Sequence, residues 1–200
     1  MLPPCLNALE RSHLRHAEVV HGLVAAARRL VGPTAGEKEP TEAEENEALG
    51  VVEDALAYFH RSVPRHFLDE EQSLFPRLAL RVPAHAAALA ALIAEHPFHL
   101  ALHRRIEDAM KVIEQRYSPH ALDELLDAAL ELERAYADHA RREDVLFEEA
   151  ARALTDEDRR GIDDEMEKRR GRGGGGGGGG RGGGGGGRGG GGGGGGGGRR

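Results

Sequence analysis

The chain has 200 residues, a formal net charge of −7, a single cysteine and no tryptophan. The charge is split: residues 1–168 carry 20 Lys+Arg against 34 Asp+Glu, a net −14, while the stretch from Arg169 to Arg200 consists of 25 Gly and 7 Arg. An acidic body excludes a nucleic-acid or anionic-lipid platform anywhere but on that stretch, and a lone Cys5 excludes an intramolecular disulfide, a cysteine zinc knuckle and a thiolate-held iron–sulfur cluster.

Helical periodicity dominates residues 1–168, with almost no alternating strand pattern. A first helix is predicted after Pro3-Pro4, ending near Leu30 before Gly32-Pro33. Thr41-Glu42-Ala43-Glu44 reads as a capping box that opens a second helix, which continues to about Pro76. A third follows Pro83, a fourth starts at Ser118-Pro119 and passes Phe147, and a short fifth runs from Thr155 to about Arg169. Long helices joined by shorter linkers predict an all-α fold: an up-and-down antiparallel four-helix bundle with a short C-terminal helix. Domain organisation follows: residues 1–168 form the bundle, and residues 169–200 form a disordered Gly/Arg tail that cannot bury enough apolar surface to offset its ordering entropy. No run of about 18 apolar residues occurs, and MLPPCLNALERSH lacks the pattern of a secretory signal, so a cytoplasmic protein without membrane contact is expected.

Two apolar stripes contain histidines. In the first helix Leu6, Leu9, His13, His16, Val20, Leu23, Ala27 and Leu30 share a face; in the third, Leu89, Leu92, His96, His99, His103, Ile106, Met110 and Ile113 do. The second and fourth helices carry HxxxE, His66/Glu70 and His139/Glu143, which puts imidazole and carboxylate on one face. A single HxxxE is ordinarily a solvated pair. Two of them, facing seam histidines on the other two helices, make a metal site of four imidazoles and two carboxylates, because burying those groups without a cation costs several kcal/mol of desolvation. Imidazole and carboxylate suit iron, manganese or zinc, and bridging carboxylates suit two metals close together.

HFLDEEQSLFP (His66–Pro76) and, more loosely, HARREDVLFEEA (His139–Ala150) resemble the signature of hemerythrin-like, HHE cation-binding domains, with His13 and Glu95-His96 as further marks; the likeness spans about residues 5–155. It implies a four-helix bundle holding two non-haem iron ions, oxo- or hydroxo-bridged, used in relatives for oxygen or nitric oxide binding, iron handling, redox sensing or repair of iron centres. Two family patterns fit. One uses His13, His66, Glu70, His96, His139 and Glu143 as metal ligands; the other uses HxxxH at His99/His103 and HxxxxD at His139/Asp144. The first is preferred, because leucines at −7 and −4 mark His13 and His96 in one register and Glu143 repeats Glu70; His16, His99, His103 and Asp144 are the substitutes. Pro64 and Pro97, beside His66 and His96, each delete a backbone hydrogen bond and should kink their helices. Tyr58, Phe59, Phe67, Phe98, Tyr136 and Phe147 are candidates to dry the site.

The expected function is a di-iron protein that binds or senses a small diatomic or handles iron, without organic turnover. A di-iron redox enzyme or repair factor is the first alternative, and a metal-free helical adaptor with an RNA-binding tail the second. The tail lacks the aromatics that stack bases in Arg-Gly segments, which leaves nucleic acid an improbable partner.

Overall fold

The computed structural model describes residues 2–32, 38 and 40–171, and no strand occurs among them. Helix α1 is Pro4–Val31, with Pro at its first position and Gly32 at its end in a positive-φ conformation (102°) that a side chain would strain. Helix α2, Glu42–Asp69, opens on the expected capping box: the Thr41 hydroxyl accepts from the Glu44 N–H while the Glu44 carboxylate accepts from the Thr41 N–H. Helices α4 (Ala86–Gln115) and α5 (Pro119–Ala153) follow, the latter capped by Ser118. Pro64 lies inside α2 and Pro97 inside α4, and both helices continue through them.

The second helix departs from expectation at its end. Pro76 does not stop it; a π-helical turn, Glu70–Leu74, leads directly into α3, Phe75–Arg81. The physical reason is that Pro76 has no N–H for the carbonyl four residues back, and the wider turn, in which the Phe75 N–H reaches the Glu70 carbonyl, accommodates that loss without ending the helix. A single 3₁₀ turn, Pro83–His85, then links α3 to α4.

Two apolar clusters hold the helices together. One joins Leu6 and Leu9, early in α1, to Leu89 and Leu92, early in α4, and to Leu146, Phe147 and Ala150, late in α5. The other joins Val20, Leu23 and Ala27, late in α1, to Ala48, Val52 and Phe59 of α2, to Ile106 and Met110, late in α4, and to Leu125, Ala128 and Leu132, early in α5. Each fully buried large side chain contributes roughly 1.5–3 kcal/mol of transfer free energy, and Phe59, Phe75 and Phe147 are among them. Between the clusters lies a polar layer of buried histidine and glutamate.

Helix α6, Asp156–Arg169, is opened by a second capping box, Thr155 with Asp158, and lies against the π turn, α1 and α2. Arg81 pairs with Asp158 at 2.8 Å, and Arg77 grips Glu165 with two bonds of 2.8 and 3.0 Å. Asp69, fully buried at the head of the π turn, takes Arg169 at 2.8 Å and Arg170 at 2.5 Å. These two arginines, the first of the Gly/Arg stretch, are thus anchored on the body; the expected disorder of the rest falls on residues 172–200, outside those described.

Candidate metal centre

The layer between the apolar clusters is built by helix periodicity. On α2 and α5, residues four apart stack on one face, so His66 Nε2 lies 2.8 Å from Glu70 Oε1 and His139 Nε2 lies 3.1 Å from Glu143 Oε1. From α1, His13 Nε2 reaches Glu143 Oε2 at 3.0 Å and Glu70 Oε1 at 3.5 Å. From α4, His96 Nε2 reaches Glu70 Oε2 at 3.5 Å. Glu70 and Glu143 are fully buried. The structure therefore brings all six residues preferred from the sequence to one place. They form two groups of four donors, His13/His66/Glu70/Glu143 and Glu70/His96/His139/Glu143, each with ligand atoms within 4.8 Å of one another. Both carboxylates belong to both groups.

Hydrogen bonding distinguishes this cluster from an ordinary polar core. All four oxygens of Glu70 and Glu143, and Nε2 of His13, His96 and His139, are buried, and although the carboxylates approach imidazole nitrogens at 2.8–3.5 Å none of these contacts is aligned as a hydrogen bond. Native interiors rarely leave such atoms unpaired, because each costs about 1–3 kcal/mol and more when charged. Their outer nitrogens, by contrast, face carboxylates: His96 Nδ1 lies 2.5 Å from Glu71, His139 Nδ1 lies 2.9 Å from Glu95, and His13 Nδ1 lies 3.4 Å from Asp144. An ionised carboxylate can only accept, so a neutral imidazole keeps its proton on Nδ1 and turns the Nε2 lone pair inward, the state a metal ligand requires. Arg142 in turn holds Glu95 with two bonds of 2.8 and 2.5 Å.

Charge leads to the same conclusion. Burial alone would lower the His13 pKa, but the facing Glu143 and Glu70 outweigh it and raise it to about 10. Burial opposes ionisation of Glu70, yet His66 and His13 hold its carboxyl well below the usual range. His139 is raised against burial by Glu143 and Glu95. The two buried carboxylates demand positive charge at their centre. Protons on the imidazoles supply it in the metal-free chain, and cations fit the same place with the same donors.

One and two helical turns along α1 and α4 lie further buried histidines with different partners. The His16 ring is 5.0 Å from His66 and 5.2 Å from Tyr136; the His99 ring is 4.9 Å from His139 and 4.7 Å from Tyr136. His103 Nε2 is 3.1 Å from the Tyr136 hydroxyl, and its ring stacks on Phe59 at 4.1 Å. Burial depresses His99 and His103 to about 3 and His16 well below its ordinary value. Glu95, His99 and His139 could also share a cation, but Arg142 and His139 Nδ1 already hold Glu95. Asp144 is largely exposed and meets only the outer nitrogen of His13. Of the expected aromatics, Phe67 stacks on His96 at 3.8 Å and Phe147 on His13 at 5.2 Å, whereas Phe98 is 46% exposed.

Sequence reasoning did not single out Glu71 or Arg142 as supports of the site. Glu71 follows Glu70 directly, and both acids, at the start of the π turn, reach His96. Comparison with curated proteins finds no match to the chain. A family model, the hemerythrin HHE cation-binding domain, matches residues 6–151, which include every donor of both groups and most of the chain. With that span and this cluster, the chain belongs to the hemerythrin HHE cation-binding domain family.

Proposed function

We propose that the chain is a non-haem di-iron protein that binds or senses a small diatomic ligand, oxygen or nitric oxide, or handles iron, in an up-and-down antiparallel four-helix bundle. The ligands in this reading are His13, His66, Glu70, His96, His139 and Glu143. The observation that carries it is the pair of four-donor groups sharing Glu70 and Glu143, since two carboxylates common to two groups are what a pair of cations needs. Four imidazoles and two bridging carboxylates supply about eight of roughly twelve positions around two six-coordinate ions. Bound iron supplies a redox-active Lewis acid with positions open to a small ligand. Glu71 and Glu95 orient His96 and His139, and Arg142 fixes Glu95. Phe67 and Phe147 stack on His96 and His13 and cover those two sides of the cluster.

A cytoplasmic location belongs to the same proposal: one cysteine suits a reducing compartment, and no described helix is long and apolar enough to cross a membrane. The alternative of a di-iron redox enzyme draws support from a cavity of about 340 Å³ that adjoins His13, His66 and His139 and exceeds what a diatomic needs. Iron titration of metal-free protein, followed by absorption in the near ultraviolet, tests the proposal. A charge-transfer band that saturates at about two irons per chain is expected, and protein that refuses iron would overturn it.

A further inference from the structure

Asp69, Ser73 and Arg77 mark one side of the segment that runs from the end of α2 through the π turn into α3, and α6 with its cap Arg170 holds all of them. Asp69 takes Arg169 at 2.8 Å and Arg170 at 2.5 Å; Arg169 also bonds the Ser73 hydroxyl. Arg77 donates to the Ser73 carbonyl at 2.9 Å while it grips Glu165. Here α6 passes so close that a Cβ at Gly161 would stand 2.8 Å from Arg77 Nη2. The same turn also serves the interior: Glu70 and Leu74 are fully buried, Glu70 among the imidazoles and Leu74 in an apolar cluster.

This clamp relies on polar bonds more than on apolar burial. Of the 14 residues of α6 only Ile162 and Met166 are buried. An element with so few buried apolar contacts can open locally without unfolding the bundle. Its release strips the buried Asp69 carboxylate of both guanidinium partners, and Glu70 is the next residue along the backbone. Glu70 has little room to shift, because it belongs to both donor groups and must keep its oxygens within reach of the other donors of each.

We propose that Asp69 is a positioning residue of the metal centre: held by Arg169 and Arg170, it sets the place of Glu70, so that docking of α6 and loading of the cluster favour each other. The proposal rests on the reading of Glu70 as a shared ligand, and adds that α6, which contributes no donor, governs how tightly the cations are held. By linkage the coupling acts equally in both directions.

Ferrous iron titration of the full-length chain, and hydrogen exchange of α6 with and without iron, test it. Arg169→Ala with Arg170→Ala should weaken iron binding about tenfold, the loss expected when the outer support of a ligand is removed. Adding Asp69→Asn removes the stranded charge; it should restore resistance to denaturant but not iron affinity, which separates positioning from mere folding. In the wild type, iron should slow exchange of the α6 amides about tenfold, and in the triple variant it should leave them unchanged. The wild-type exchange comparison decides the question without any variant. Triple-variant protein that binds iron as tightly as the wild type, or wild-type α6 amides that exchange alike with and without iron, would overturn the proposal and leave the metal reading intact. Wild-type protein that takes up no iron would overturn the metal reading and this proposal with it.

Discussion

Buried histidines follow the donor cluster along α1 and α4, one turn on at His16 and His99 and two turns on at His103, and only the cluster looks like a metal site. His13 and His96 face two fully buried carboxylates and hand their outer nitrogens to acids; His16, His99 and His103 pack on tyrosine, phenylalanine and other imidazoles. Both sets are desolvated, so burial cannot be what separates them. The carboxylates are. Facing Glu70 and Glu143, His13 is raised to about 10 and His139 is raised as well, while His99 and His103, one and two turns beyond His96, are depressed to about 3. Inner carboxylates, more than histidine count, mark the candidate ligands, and His13, His96 and His139 add an outer carboxylate that His66 lacks.

The most drastic way to break the contrast is to remove the shared acids. Glu70→Ala and Glu143→Ala should each cut iron content from about two per chain to one or fewer, measured by elemental analysis, because each carboxylate belongs to both donor groups.

Next in size comes the clamp behind Glu70. Replacing Arg169 and Arg170 together by Ala strands the buried Asp69 carboxylate, at a cost of about 3–5 kcal/mol by denaturant unfolding. Adding Asp69→Asn should recover much of that loss.

The contrast is sharpened by histidine scanning. His13→Ala and His96→Ala should lower iron content together with stability, whereas His99→Ala, His103→Ala and Asp144→Ala should keep it near two per chain. Greater iron loss at His99, His103 and Asp144 would favour the other family register.

The smallest effect belongs to a surface element remote from both sets of histidines. Asp158 caps α6 and pairs with Arg81, and chiefly that guanidinium lowers its pKa to about 2. Because the folded-state value is depressed, its contribution is present above the ordinary aspartate range and is lost as pH falls toward about 2. Asp158→Asn should cost about 1 kcal/mol at pH 7 and almost nothing near pH 2, read from urea unfolding at both values.

Helix starts were legible because their chemistry is local: Thr41/Glu44, Ser118 and Thr155 announce the caps that the structure shows. The six convergent donors were legible because HxxxE spacing and the leucine register of His13 and His96 are helical arithmetic. What escaped depends on tertiary structure or on backbone irregularity. Pro76 looked like a stop because nothing in HFLDEEQSLFP discloses that a π turn will carry the helix to Arg81, and the same turn hides the role of Glu71. Arg169 and Arg170 looked like tail by composition, since their partner Asp69 is a hundred residues away. Phe98 looked like core because it adjoins Pro97 and His99, yet its position on α4 turns it outward.

The central claim is that two cations share Glu70 and Glu143, and anomalous diffraction from crystals of the iron-loaded protein tests it most directly. The account predicts two iron peaks between those carboxylates, one flanked by His13 and His66 and the other by His96 and His139. A single peak, or peaks centred on His99 and His103, would contradict it.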